Sequence, residues 1–207
     1  MTTTNHPNTP QPAAATPAPP RPEITPELVH RLFPATPLAN IQANLPAIIA
    51  AMQAVNLGDR DMVLMALSTI RAETECFQPI SEQPSRFNTS PNGHPFDLYD
   101  HRTDLGNQGP PDGASFRGRG FIQLTGRGNY TRYAQRTGLH LVDHPGLACR
   151  LGVAAQLLAL FLKDKEPAIR HALAKNDLAA ARRLVNGGSN GLDRFSACYS
   201  TGCEVLA

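Results

Sequence analysis

Apolar positions recur at helical spacing along most of this chain. Val63, Ala66, Leu67, Ile70, Thr74 and Phe77 form one apolar stripe, which predicts the chain's best-defined helix over residues 59–78, with Pro79 as its stop. Upstream, Thr25-Pro26-Glu27 reads as a helix start, with Thr as N-cap and Pro at the first helical position. A short helix follows to about Phe33, and another spans 38–55 with a break near Pro46. Downstream, helices are expected over 129–137, 151–163, 167–175, 178–185 and 192–205, the last two separated by Gly187, Gly188 and Gly191. Between Pro79 and Arg117 the periodicity lapses for roughly 40 residues, and a loop of that length inside a compact domain tends to be functional. A small β-hairpin is expected within it, around 97–105. The pattern therefore predicts a mainly α domain with one long irregular insertion.

Composition changes this picture at one end. Residues 1–24 are Pro/Thr/Ala-rich and hold almost no large apolar side chains, so they cannot offset their ordering entropy and read as a disordered tail. The folded domain is expected over 25–207, and a domain of about 180 residues buries some 70% of its unfolded-chain surface without needing a disulfide or metal. The net charge of +2 is far from the basic footprint of a nucleic-acid binder. No apolar run is long enough to span a membrane, and the start lacks the basic and apolar regions of a secretory signal. If the substrate lies outside the cytoplasm, another delivery route is expected. The four cysteines show no CxxC or Cys/His ligand spacing, so neither zinc nor any other metal or cofactor is expected. Cys76, Cys149 and Cys198 read as small buried thiols, and Cys198 is near enough in sequence to Cys203 for the two to approach.

Several residues are candidates for chemistry. Glu73 lies at the edge of the apolar stripe, where desolvation would favour the protonated form a general acid needs, although spacing alone makes it a helix-surface carboxylate. Glu75, four residues after Arg71, reads as half of an exposed ion pair. Glu82 lies nine residues after Glu73, about 13.5 Å along a continuous helix, beyond the roughly 6.5–9.5 Å between carboxyl groups in inverting glycosidases. A helix stop at Pro79 permits the chain to turn Glu82 back. In RGRGFIQLTGRGNY, glycines allow close backbone approach, and Gln123, Thr125 and Asn129 are neutral groups of the kind that hold sugar hydroxyls, amides or a water. Asn186 reads equally as a helix-end residue. Phosphate-loop, GxSxG and HExxH patterns are absent, and His94, His101, His140, His144 and His171 read as surface residues.

Three segments together resemble glycoside hydrolase family 19: Ala72-Glu73-Thr74 ending an apolar helix, LYDHRTDLGNQGPPDGASFRGRGFIQLTGRGNY, and VNGGSNGLDRF near the C-terminus. That family holds chitinases and bacterial or phage endolysins with a lysozyme-like helical fold, and the resemblance runs in order from about Thr25 to the C-terminus. It implies Glu73 as general acid, Glu82 as the carboxylate that activates a water for inversion, and Thr125 as a group holding that water. Gln123, Asn129 and Asn186 match substrate-binding positions, and Tyr130 and Arg119, which belong to the same motif, are counted as substrate-binding with them. The family's usual His before the acid is here Ala72. The implied function is an inverting glycosidase of β-1,4-linked N-acetylglucosamine polymers, with peptidoglycan the first reading and chitin the second. A silent glycan-binding protein is the alternative of another class. The expected partner is the glycan itself, with the chain a monomer and any immunity or delivery partner left open.

Overall fold

In the computed structural model, residues 24–206 are described. The stretch read as a tail lies, but for its last residue, outside them. Among the described residues the architecture is mainly α and lysozyme-like, as the periodicity and the resemblance implied. Ten helices carry it: α1 (Pro26–Leu32), α2 (Leu38–Ala54), α3 (Arg60–Glu73), α4 (Asp97–Asp100), α5 (Asp112–Ser115), α6 (Arg127–Thr137), α7 (Leu151–Asp164), α8 (Glu166–Ala174), α9 (Leu178–Asn186) and α10 (Leu192–Val205).

Helix α3 is the axis of the main core. Met62 through Ile70 are buried all the way round, so the single apolar stripe of the sequence reading is the visible part of a helix enclosed on every side. Helices α2, α7 and α10 supply the walls. Asp59 caps α3 by accepting a hydrogen bond from the Met62 amide, and Arg170 of α8 clamps the same carboxylate at 2.7 Å. A second apolar cluster gathers Phe116, Leu124, Tyr130, Tyr133, Leu141 and Leu157. Helix α7 serves both, turning Ala154, Leu158 and Leu162 to the main core and Leu157 to the second.

Three boundaries differ from the sequence reading. Helix α2 runs unbroken through Pro46, because Pro46 and Gln42, whose carbonyl loses its partner, are solvent-exposed while Ile41, Leu45, Ile48 and Met52 anchor the helix on the core. Helix α3 stops at Glu73, five residues before the expected end. Glu75 and Phe77 take positive φ, and side chains from the α1–α2 region accept the geometry: Thr36 Oγ1 donates to the Glu75 carbonyl and Asn40 Nδ2 to that of Cys76. Phe77 is fully buried, edge-on to Phe33 at 4.8 Å between ring centres.

The third difference is in the long insertion, where the hairpin expected at 97–105 is replaced by α4 and a 3-10 turn over Thr103–Leu105. Acidic side chains of the insertion instead accept from backbone amides on either side of that segment. Asp97 accepts from the Ser90 amide, Asp100 from Gly113 and Asp112 from Gln108, each at 2.8–2.9 Å. The β-type pairing among the described residues lies elsewhere, as isolated bridges joining Ser81 to Arg119 and Arg119 to Leu124. That small pairing holds the segment after α3 against the glycine-rich segment.

Candidate active site

Between the main core and the second cluster runs an open cleft of about 620 Å³. Its floor is built from the end of α3, the bridge segment, the start of α6 and the end of α9. Glu73, Glu82, Gln123, Thr125, Asn129 and Asn186 all line it. The early stop of α3 is what makes this possible, since the chain after Glu73 leaves the helix axis and brings Glu82 across to the Gly118 backbone.

Glu82 is held from three directions. Its Oε1 accepts hydrogen bonds from Asn88 Nδ2 and Tyr99 Oη, both at 2.9 Å, and its Oε2 accepts one from the Gly118 amide at 3.1 Å. Its own amide donates to the Gly118 carbonyl at 2.8 Å, fixing the backbone as well. Burial, with the Glu82 contact second, pushes the Tyr99 phenol up to about 12, so it remains a donor to Glu82 across the working pH range.

A methyl group placed on Gly118 would lie 2.9 Å from Gln123 Oε1, 3.1 Å from Glu82 Oε2 and 3.3 Å from Thr125 Oγ1. The three side chains therefore converge on one small space that only a glycine leaves open. Thr125 Oγ1 donates to the Gln123 carbonyl at 2.8 Å, which leaves its lone pairs as acceptors. The Gln123 amide nitrogen is bound to the Ile80 and Gly120 carbonyls, and Asn129 Nδ2 to that of Thr125. These bonds orient the side chains and leave both amide oxygens as acceptors.

Glu73 has a different setting from the apolar one expected of it. Its Oε1 meets Arg182 Nη2 at 2.8 Å, and the Arg182 side chain is almost wholly buried beneath the cleft. Arg182 also donates to the Asn190 carbonyl through Nε and Nη2. Gly191, at φ +71, lies so close to Ala72 that an added methyl would sit 3.2 Å from the Ala72 Cβ. The 190–191 turn thus occupies ground beside position 72, and the small side chain there fits the approach.

Arg119 and Tyr130 are not brought to the cleft. Both are buried in the second cluster, where Arg119 Nη1 donates to Tyr130 Oη and to the Ser115 carbonyl, and Tyr130 Oη donates to the Arg117 carbonyl. The expectation that they contact substrate is corrected: they brace the loop that carries Gly118. Sequence reasoning missed Tyr99, Asn88 and Arg182. Arg182 stands four residues before Asn186 on α9, a spacing that puts both on one face and could have flagged it. Tyr99 and Asn88 had no local signal, because only the folded insertion brings them to Glu82. All four cysteines are free, and burial pushes the Cys198 thiol up to about 11. The five histidines named above are exposed.

A helical fold of the lysozyme-like class, with two carboxylates and a set of amide and hydroxyl groups in one cleft, is what these elements define. Among known proteins the chain is 29% identical, over 102 residues, to a glycosyl hydrolase family 19 domain-containing protein of Haemophilus influenzae. That match covers 49% of this chain and 48% of the relative, so it spans about half of that protein's length. In fold the chain is similar to chitinase C of Streptomyces griseus, with a TM-score of 0.60, 19% identity, and coverage of 88% of this chain and 76% of that one. A mutant of the same chitinase gives a TM-score of 0.59 at 19% identity. No family model matches. The resemblance to glycoside hydrolase family 19 read from the motifs is thus found again in a relative's sequence and in the fold.

Proposed function

We propose that this chain is a glycoside hydrolase that cleaves β-1,4 linkages in an N-acetylglucosamine-containing cell-wall polymer, peptidoglycan first, with inversion at the anomeric carbon. The observation that carries this reading is the presence of Glu73 and Glu82 in one cleft, with Thr125 and Gln123 beside the second carboxylate. In this reading Glu73 protonates the glycosidic oxygen as the bond to the anomeric carbon breaks. Glu82 takes a proton from the attacking water, which Thr125 helps to hold, and its three donors keep it from swinging away. Gln123, Asn129 and Asn186 bind acetamido and hydroxyl groups of the sugar. Arg182 donates to Glu73 Oε1 and so anchors the side chain, leaving Oε2 to carry the proton that passes to the leaving oxygen.

A chitinase on the same scaffold is the second reading, favoured by the fold shared with chitinase C. The test is to incubate purified protein with peptidoglycan sacculi and with soluble chitin oligomers, and to follow the anomeric form of new reducing ends by NMR. Release of α-anomer from sacculi, lost in Glu73→Gln, is the expected result. Cleavage of chitin oligomers alone would give the second reading, and retained β-anomer would remove inversion. Glycan binding without product would leave a lectin-like protein.

A further inference from the structure

A second groove of about 360 Å³ lies between the start of the domain, the end of α3 and the exposed side of α10. Its lining includes Arg31 of α1, Arg71 of α3 and Arg194 of α10, against one acidic residue, Asp193. Arg194 also lines the cleft that holds Glu73, so the two depressions share a wall.

A carboxylate already marks how this groove treats anions. Glu75 is bound by Arg71 through Oε1 and by Arg194 through Oε2, the latter at 3.1 Å. These guanidinium groups hold the Glu75 carboxyl below the usual carboxylate range, Arg71 contributing most. The Glu75 backbone is pinned by Thr36, but its side chain is half exposed, and exposed ion pairs are weak. Arg194 is half exposed as well, so its bond to Glu75 is the one an incoming carboxylate can replace at little cost, while the mostly buried Arg71 keeps Glu75. Arg71 is held in place independently, since its guanidinium also lies 5.8 Å from the centre of the Phe33 ring. Arg31 has no ion-pair partner among the described residues and is solvent-exposed.

We propose that this groove receives carboxylates of the peptide stem carried by a peptidoglycan strand lying in the cleft. Chitin offers no such group, so the groove would set the substrate class. The inference rests on the glycosidase reading of the cleft and makes its preference for peptidoglycan a property of named residues. Guanidinium groups suit the task because they pair with carboxylates in a forked geometry and stay charged at every working pH.

The test uses the full chain and three substrates: stem-bearing glycan strands, the same strands with stem carboxylates amidated, and chitin oligomers. Amidation should lower kcat/KM of the wild-type protein roughly threefold to fivefold, the effect of losing an exposed ion pair or two. In Arg31→Gln that ratio should fall towards one, and Arg31→Lys should restore part of it, while the rate on any cleaved substrate without carboxylates stays unchanged. Equal sensitivity to amidation in wild type and Arg31→Gln, or none in either, would overturn the groove assignment and leave the glycosidase reading standing. Cleavage of chitin oligomers with no action on either strand would overturn both the groove assignment and the peptidoglycan reading.

Discussion

Gly118 sits where Glu82, Gln123 and Thr125 converge, and this makes it the most sensitive backbone position in the cleft. Gly118→Ala adds a methyl at 2.9–3.3 Å from three polar side-chain atoms without demanding an unusual backbone conformation. The expected outcome is a loss of roughly tenfold or more in kcat, because displacement by about an ångström disrupts the positioning on which the role proposed for Glu82 depends, with little change in melting temperature. Steady-state kinetics beside a thermal melt checks both halves. Tyr99→Phe removes one of the donors that fix Glu82, and kcat/KM should fall roughly tenfold to a hundredfold, as expected for one hydrogen bond to a charged group. A wild-type rate in Tyr99→Phe would mean that Asn88 and Gly118 alone hold the carboxylate. Much of this site was legible in the sequence. Glu73, Glu82, Gln123, Thr125, Asn129 and Asn186 all reach one cleft, while Arg119 and Tyr130 share the motif but point the other way. Motif membership records sequence proximity, and whether a side chain faces substrate or core depends on the turn that carries it.

At the scale of elements, α3 decides where the chemistry sits, and both its ends are fixed by side chains from elsewhere. Asp59 at its start is capped onto Met62 and clamped by Arg170 of α8. Asp59→Ala should cost about 1–2 kcal/mol in urea unfolding at neutral pH, the usual range for a lost helix cap. Arg170 holds the Asp59 carboxyl below its usual 3.8, so its contribution is present above that pH and disappears as the pH falls through the depressed folded value. The stability gap between wild type and variant should therefore close in acid; a gap that stays constant would assign the effect to packing. At the other end, Phe77→Ala should cost about 3–5 kcal/mol, since it empties a fully buried ring site against Phe33 and Phe121. The helix itself was plain from its periodicity. Its end was not, because Thr36 and Asn40, more than thirty residues earlier, hold the turn that stops it.

At the scale of the whole molecule, the four tyrosines report on how far the fold is closed to water, Tyr130 and Tyr133 in the second cluster, Tyr199 in the main core and Tyr99 in the cleft. Burial is the first cause of a raised phenol in each of Tyr99, Tyr130, Tyr133 and Tyr199, with Tyr99 pushed up to about 12 from an ordinary value of 10.0. The folded protein should show little tyrosinate absorbance at pH 10, whereas the urea-unfolded chain should titrate near that value. Because the unfolded chain releases these protons first, stability should fall as pH rises from about 10 towards 12. A folded-state titration centred on pH 10 would show that the clusters are open to solvent. The sequence by itself determined the helical class and the position of most helices, because periodicity is a local property, and its motifs named the carboxylates, amides and hydroxyl that the fold brings to one cleft. Only the tertiary structure decided that α2 continues through Pro46, that α3 ends at Glu73, and that Arg182, Tyr99 and Asn88 hold the two carboxylates. Apart from the bond of Asn88 to Glu82, six residues away, each of these depends on contacts between residues far apart in the chain. Glu73 reads in sequence as an acid beside apolar neighbours and stands in the fold against a buried arginine, since what surrounds a side chain is set by whichever elements pack over it.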